Sequence, residues 1–263
     1  MIEKKFFFLC GLPRAGSTVL ASILNQNPDI YTTPTSPLLD LLEYNEYGWN
    51  NCPSVIANPI QGKNLEISQA IINGCWEHIN KPIIIDKCRG WVNHVPTIKI
   101  VFNQTPRIIV NTRDIPSILA SYLRILEKQT QPTYIDEIIL EKGLYINNHT
   151  RVQMIWEMHL LPVIQWLQNS YTYYKDSLLL IDYDDLITNK EESINKIYNF
   201  LELPQYNHQF DNIVNTTVEN DEEAWRVKDL HKVNPRLEKV APDPREILGE
   251  ELFNKYNISW REV

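Results

Sequence analysis

The chain has no long apolar run. Nowhere do 18 apolar residues follow one another, so no transmembrane span is predicted. It is also poor in cysteine. Cys10, Cys52, Cys75 and Cys88 are widely and unevenly spaced, with no C-x-x-C pair and no histidine cluster beside them. That pattern offers no metal site and predicts reduced thiols in a cytoplasmic protein. Basic residues are outnumbered, 25 against 33 acidic, leaving a net charge of −8. This argues against a general nucleic-acid binder, whose affinity rests on cations that neutralise phosphates, but a small anionic ligand needs only a local basic pocket. Low-complexity tracts and internal repeats are missing too. The N-terminal "MIEKKFFFLCGL" sets two lysines before an apolar run, as a signal peptide does. The run is short, Arg14 follows at once and no small-residue cleavage site appears, so a buried strand is expected.

What is present is an ordinary globular composition, 43% apolar and 22% charged over 263 residues, read as a single domain over 1–263. Short apolar runs alternate with helical patterns. "KKFFFLC" reads as a strand, and "STVLASILNQ" as a helix with Val19, Leu20, Ile23 and Leu24 on one stripe, closed by Pro28. "KPIIID" (81–86) and "PRIIV" (106–110) are β-branched runs of the kind found in strands buried on both faces. "PSILASYLRILEK" (116–128) opens on a proline favoured in a first helical turn. "RVQMIWEMHLLPVIQWL" (151–167) predicts a long helix bent at Pro162. "SLLLIDYDDL" (177–186) reads as strand then turn, and Thr188 with Glu191 as a capping box for the next helix. This alternation predicts a three-layer α/β domain with a central, largely parallel sheet flanked by helices. Segments 31–80 and 205–263 are rich in Pro, Asn and Trp and read as irregular coverings.

The stretch "GLPRAGSTVL" (11–20) follows the first strand. Gly11 and Gly16 are spaced as in a nucleotide kinase's phosphate loop, and Thr18 stands where a magnesium-binding hydroxyl would be. Ser17, however, takes the place of the lysine that grips the transferred phosphate. A glycine loop between strand and helix aims backbone N–H groups at an anion, helped by the helix's positive end. The lysine and a Walker-B acid serve Mg²⁺ and a γ-phosphate. Without them the loop suits a donor that carries phosphate and needs no metal; the bland alternative is a turn that binds nothing.

A second stretch, "IIVNTRDIPSILASYLR", puts Arg113 at a strand end and Ser121 eight residues on, in the next helix. Together the two stretches resemble the sulfotransferases that use 3′-phosphoadenosine-5′-phosphosulfate (PAPS). "PRAGST" matches that family's 5′-phosphosulfate loop and "RDIPSILAS" its 3′-phosphate site. The pattern is nearest to the tyrosylprotein-type branch. "PRAGSTVLASILNQNPDI" is similar to its loop, helix and turn, and "IIIDKCRG" puts Lys87 where the branch has a lysine. "LLLIDYDDLITNKEESINKIYNFLELP" puts Tyr183 at a nucleotide-contacting position. The C-terminal fifty or so residues do not align. Thr35, in "TTPTSPLL", stands where the branch carries a catalytic glutamate, so the resemblance does not extend to the base or the acceptor.

The resemblance implies transfer of a sulfonate from PAPS to a hydroxyl or phenol, on a small molecule, sugar or peptide, with release of 3′,5′-ADP. It implies that the N–H groups of Ala15, Gly16, Ser17 and Thr18 hold the phosphosulfate, with Arg14 and Lys87 stabilising charge on the oxygens. Arg113, Ser121 and Tyr183 are then assigned to the nucleotide. Arg113 could instead pair with Asp114 or cap a helix, Ser121 be a plain helix-surface serine, and Lys87 a solvated strand-end lysine. Lys232, in "RVKDLHKVNPR" (226–236), either reaches the 3′-phosphate or sits in a solvated loop. His94 is the best-placed histidine for the base, with Asp40 and Glu43 as rivals; each could equally be an ordinary loop or surface group. His159, inside a long amphipathic helix, reads as structural. Two other classes stay open: a divergent small-metabolite kinase, for which "IIID" ending at Asp86 is the remaining Walker-B candidate, and a nucleotide-binding module without catalysis.

Overall fold

The architecture is that of a computed structural model describing residues 4–217, 219–238 and 242–263. The chain begins with β1 (Lys5–Gly11), α1 (Ser17–Leu24) and β2 (Ile30–Thr35). Three helices follow, α2 (Leu38–Asn51), α3 (Pro53–Ala57) and α4 (Lys63–Trp76), then β3 (Ile83–Lys87) and α5 (Val95–Val101). Next come β4 (Ile108–Thr112), α6 (Ile115–Glu127), α7 (Tyr134–Glu141), α8 (Asn148–Ile155) and α9 (Leu161–Tyr173). β5 (Leu178–Asp182), α10 (Tyr183–Thr188), α11 (Lys190–Leu201), α12 (Asp221–Trp225) and α13 (Pro244–Tyr256) complete the order.

All four strand pairings are parallel, in the order β2-β3-β1-β4-β5. Phe8, Leu9, Ile84, Ile85, Ile108 and Ile109 are fully buried, because helices cover both faces and the apolar runs have no solvent side. Alternate residues feed two cores. Phe8, Cys10, Ile84 and Val110 pack with α6, α8 and α9, while Phe7, Leu9, Ile85 and Ile109 pack with α1 and α11. The predicted α/β architecture is therefore the observed one. Because β1 is central and flanked by β3 and β4, the loops leaving all three strands converge on one edge.

Three local expectations are corrected. Residues 31–80, expected to be irregular, hold most of β2 and three helices. β2 escaped the strand pattern because Pro34 interrupts "IYTTPT", which an edge strand tolerates. The Thr188–Glu191 capping box does not form: Thr188 donates to Asp184 O (2.8 Å) at the end of α10, and Asn189 precedes α11 without a side-chain cap. The long helix over 151–167 is interrupted by one π-helical turn, Trp156–Leu160, just before Pro162. Pro162 has no N–H to give a preceding turn, so the widened turn is placed where the ladder loses a donor.

Candidate active site

Each wall of the site follows from a strand end. At the end of β1, Gly11 has φ +139°, and a Cβ there would lie 2.2 Å from Asn111 O. Only glycine lets Leu12 N reach that same carbonyl (2.9 Å) and turn the chain outward. Gly16, at φ +88°, caps α1; a Cβ would lie 2.7 Å from the Tyr183 ring. The N–H of Ala15 donates back to Leu12 O (3.3 Å), so the expectation that it faces an anion is corrected. The N–H groups of Gly16, Ser17 and Thr18 have no acceptor among the described residues and open the positive end of α1.

Two arginines stand beside this loop. Arg113, immediately after β4, is 7% exposed; its Nη1 donates to Arg14 O (3.0 Å) and its guanidinium lies 4.3 Å above the Tyr183 ring. Its Nε is buried without a partner. Asp114, the acid that could have paired with it, instead caps α6 by accepting from Ser117 N (2.8 Å). Arg14 donates through Nε to Ser121 Oγ (3.2 Å) and through Nη1 to Leu230 O. Burial lowers its pKa from the ordinary value, yet a guanidinium stays charged at physiological pH. Neither arginine has an ion-pair partner among the described residues.

Lys87 ends β3, and its backbone N donates to Thr33 Oγ1 (2.8 Å). Its ammonium, nearly buried, pairs with Glu219 at 2.9 Å. Glu219 also accepts from the backbone N and the hydroxyl of Thr35, both at 3.0 Å. Burial pushes the Glu219 carboxyl up, but the Lys87 ammonium and the hydrogen bonds from Lys87 and Thr35 counter it, and the group is held below the usual range. His231 in turn meets Asp221 at 2.5 Å. Glu219, Asp221 and His231 all lie in the covering segment that the sequence left unassigned. Their only signals were an acid-rich "ENDEEAW" and a histidine beside Lys232, neither with a diagnostic spacing.

Arg14, Gly16, Ser17, Thr18, Lys87, Arg113, Ser121, Tyr183 and Lys232 all line one cavity of about 1270 Å³. Lys232 does so as an exposed group 3.7 Å from Asp229. In a chain of net charge −8, ten arginines and lysines line this cavity against three carboxylates. His94 is not brought there. Its Nδ1 lies 2.9 Å from Gly90 O and its Nε2 2.9 Å from Glu43, so both ring nitrogens are engaged and the expectation of a base is corrected. Glu43 is spent on the same contact, and Asp40 does not line the cavity either. His159, expected to be structural, does line it, with Nε2 2.7 Å from the Tyr134 hydroxyl; burial, then Arg89, lowers its pKa to about 4. Asp86 is fully buried on β3, accepting from Ser36 Oγ and Trp91 Nε1 (2.7 Å each), so it does not serve the loop. Among the described residues no helix is long and apolar enough to cross a membrane.

Among solved structures, the chain is similar to the sulfotransferase domain from the curacin biosynthetic pathway. Identity is 15%, covering 99% of this chain and 95% of that one, with a TM-score of 0.49. The sulfotransferase domain from the Synechococcus PCC 7002 olefin synthase gives 17% identity, 100% and 90% coverage, and a TM-score of 0.46. Sulfotransferase STF9 from Mycobacterium avium gives 13% identity and a TM-score of 0.47, with 78% of this chain covering 65% of that one. No curated protein matches the sequence. The model of the sulfotransferase family matches residues 7–208, a span that carries the loop, Lys87, Arg113, Ser121 and Tyr183. The chain belongs to the sulfotransferase family.

Proposed function

We propose that this protein is a PAPS-dependent sulfotransferase, moving a sulfonate by in-line displacement to a hydroxyl or phenol and releasing 3′,5′-ADP. By its sequence pattern it is nearest to the tyrosylprotein-type branch, with an acceptor on a small molecule, sugar or peptide. The observation that carries this reading is the uncompensated charge at the β1–β4 edge. A buried arginine normally has a counter-charge, because an unpaired ion loses its hydration. Arg113 has none, and its Nε is orphaned beside three N–H groups that lack acceptors. A ligand with two separated anionic groups would satisfy both sets.

In this reading the N–H groups of Gly16, Ser17 and Thr18 hold the 5′-phosphosulfate. Arg113, seated on Tyr183, takes the 3′-phosphate together with Ser121, and Lys232 closes over it. When bound, PAPS supplies an activated sulfonate, and Arg14 and Lys87 meet the charge that develops on the oxygens around sulfur. Arg14 takes the role left by the missing loop lysine, its guanidinium partly buried beside the loop with no ion-pair partner among the described residues. The kinase alternative loses its Walker-B candidate, since both Asp86 oxygens are committed to Ser36 and Trp91.

Calorimetry with 3′,5′-ADP, ATP and 5′-AMP, with and without Mg²⁺, tests the proposal. Tight metal-free binding of 3′,5′-ADP alone is expected. Mg²⁺-dependent binding of ATP in preference to 3′,5′-ADP would overturn it.

A further inference from the structure

We propose that His231, held by Asp221, takes the proton of the acceptor hydroxyl, so that the covering segment and not the sheet supplies the base. This rests on the sulfonate-transfer reading above, which leaves the acceptor proton without a destination. The strand ends offer none. Thr35 carries no base, both ring nitrogens of His94 are engaged, and His159 is bound to Tyr134 and hard to protonate.

The tautomer of His231 follows from its neighbours. Nδ1 lies 2.5 Å from Asp221 Oδ1 and 3.4 Å from Glu219 Oε2, and carboxylate oxygens only accept, so the ring proton sits on Nδ1. In the neutral ring the lone pair is then on Nε2, for which no partner exists among the described residues. Asp221 also accepts the His231 backbone N–H through Oδ2 (2.7 Å), so one carboxylate fixes the ring and the chain that carries it. The side chain is 20% exposed and borders both the main cavity and a smaller one of about 270 Å³. Asp221, Glu219 and Lys87 are the charged groups that act on it. Burial lowers its pKa and Lys87 adds to that, against the two carboxylates, which leaves the ring neutral and able to accept near pH 7.

Glu219 joins the two halves of the chemistry. One oxygen holds Lys87, the cation for the leaving oxygen, and the other faces His231, the base for the attacking one. In the step, the acceptor proton passes to Nε2 and the freed oxygen pair forms the new O–S bond. The S–O bond to the 5′-phosphate breaks, its electron pair leaving with 3′,5′-ADP. The imidazolium is stabilised by Asp221 and returns its proton to solvent.

Two measurements test this. Nitrogen-15 spectra of the histidine side chains, with His231→Gln for assignment, should show an Nδ1–H ring in the wild type and a shift toward Nε2–H in Asp221→Ala. A wild-type Nε2–H ring overturns the proposal, and this readout needs no acceptor. Single-turnover transfer from PAPS to phenols of graded acidity is the second. Assayed at about pH 8.5, His231→Gln should lose about 10²–10⁴-fold with a phenol whose pKa is near 10 but less than about fivefold with 4-nitrophenol, which is then largely ionised. Equal losses on both overturn the assignment. Binding of 3′,5′-ADP, measured on the same variant, should change less than about threefold, as expected for a group that does not touch the nucleotide. If the wild type fails to bind 3′,5′-ADP, the sulfotransferase reading falls. If binding holds and the tautomer or the acidity contrast is wrong, only the base does.

Discussion

Lys87 and Glu219 form a nearly buried ion pair, and separating its structural from its catalytic role gives the sharpest prediction. Their side chains are 7% and 11% exposed, with the ammonium 2.9 Å from the carboxylate. Lys87→Met keeps the length of the stem and leaves Glu219 without its cation. Breaking one side of a buried pair costs about 3–5 kcal/mol, because the remaining charge is stranded. Here the cost should fall at the lower end, since Thr35 still gives Glu219 two hydrogen bonds and His231 can protonate to compensate. About 3 kcal/mol in a domain of this size lowers Tm by roughly 6–12 °C. Adding Glu219→Gln removes the stranded charge while keeping an acceptor for Thr35, so Lys87→Met/Glu219→Gln should regain most of the lost Tm.

The rate should not return with it. If Lys87 stabilises charge on the leaving oxygen, its contact strengthens as the S–O bond breaks. Both the single and the double variant should then lose roughly 10²–10³-fold in single-turnover rate, with little change in PAPS affinity. Thermal denaturation gives the first quantity, calorimetry the second and rapid quench the third. A double variant that recovers rate along with Tm would mean Lys87 acts only by folding the site. A normal rate in Lys87→Met would remove it from the mechanism.

Arg113→Ala should weaken 3′,5′-ADP by about 2–4 kcal/mol, the loss of charge-assisted contacts to one phosphate, while 5′-AMP hardly changes in parallel titrations. Equal losses would mean Arg113 does not read the 3′-phosphate. Gly16→Val should abolish 3′,5′-ADP binding with the fold intact by circular dichroism. A branched Cβ at φ +88° runs into Tyr183 and unseats the ring on which Arg113 lies; normal affinity would refute this. Burial raises the Asp86 pKa from 3.8 to about 6, so the folded state keeps a proton that the unfolded chain releases. Stability should therefore fall by up to about 3 kcal/mol as pH rises from 4 to 6. Asp86→Asn should lack that slope in urea titrations across the window, and an identical slope would refute it.

Much of the sheet and half of the site were legible in the chain. β1, β3, β4 and β5 are uninterrupted apolar runs because helices bury both faces of the sheet. The loop and Arg113 sit directly at strand ends, and Ser121 lies two turns into the helix that follows, where local spacing fixes their position. β2 was not legible, because an edge strand can carry a proline and polar threonines. The place of Ala15 is not legible, because its N–H turns back to Leu12 inside the loop, a bond that no spacing announces. The engagement of His94 is hidden for a related reason: Gly90 and Glu43 satisfy both its nitrogens, and Glu43 comes from a separate helix.

Thr35 shows most plainly what linear matching loses. Against the tyrosylprotein-type pattern that the sequence resembles, it stands in place of a glutamate, and by itself that favours a binding module without catalysis. In space its backbone N and hydroxyl both hold Glu219, a carboxylate that returns from more than 180 residues further along the chain. A threonine can receive such a visitor, because its hydroxyl donates and its small side chain leaves room, whereas a resident glutamate would repel it. Thr35 and the covering segment thus fit one another. The segment carries Glu219, Asp221 and His231 as a set, and docks them through Thr35 and Lys87 on one side and through Arg14, which donates to Leu230 O, on the other. The contacts that hold the proposed base also hold Lys87 and Arg14, so the cavity and the covering segment are built from one set of interactions. With His231 as the proposed base, a threonine at this position is compatible with catalysis, because the acid–base groups come from the covering chain.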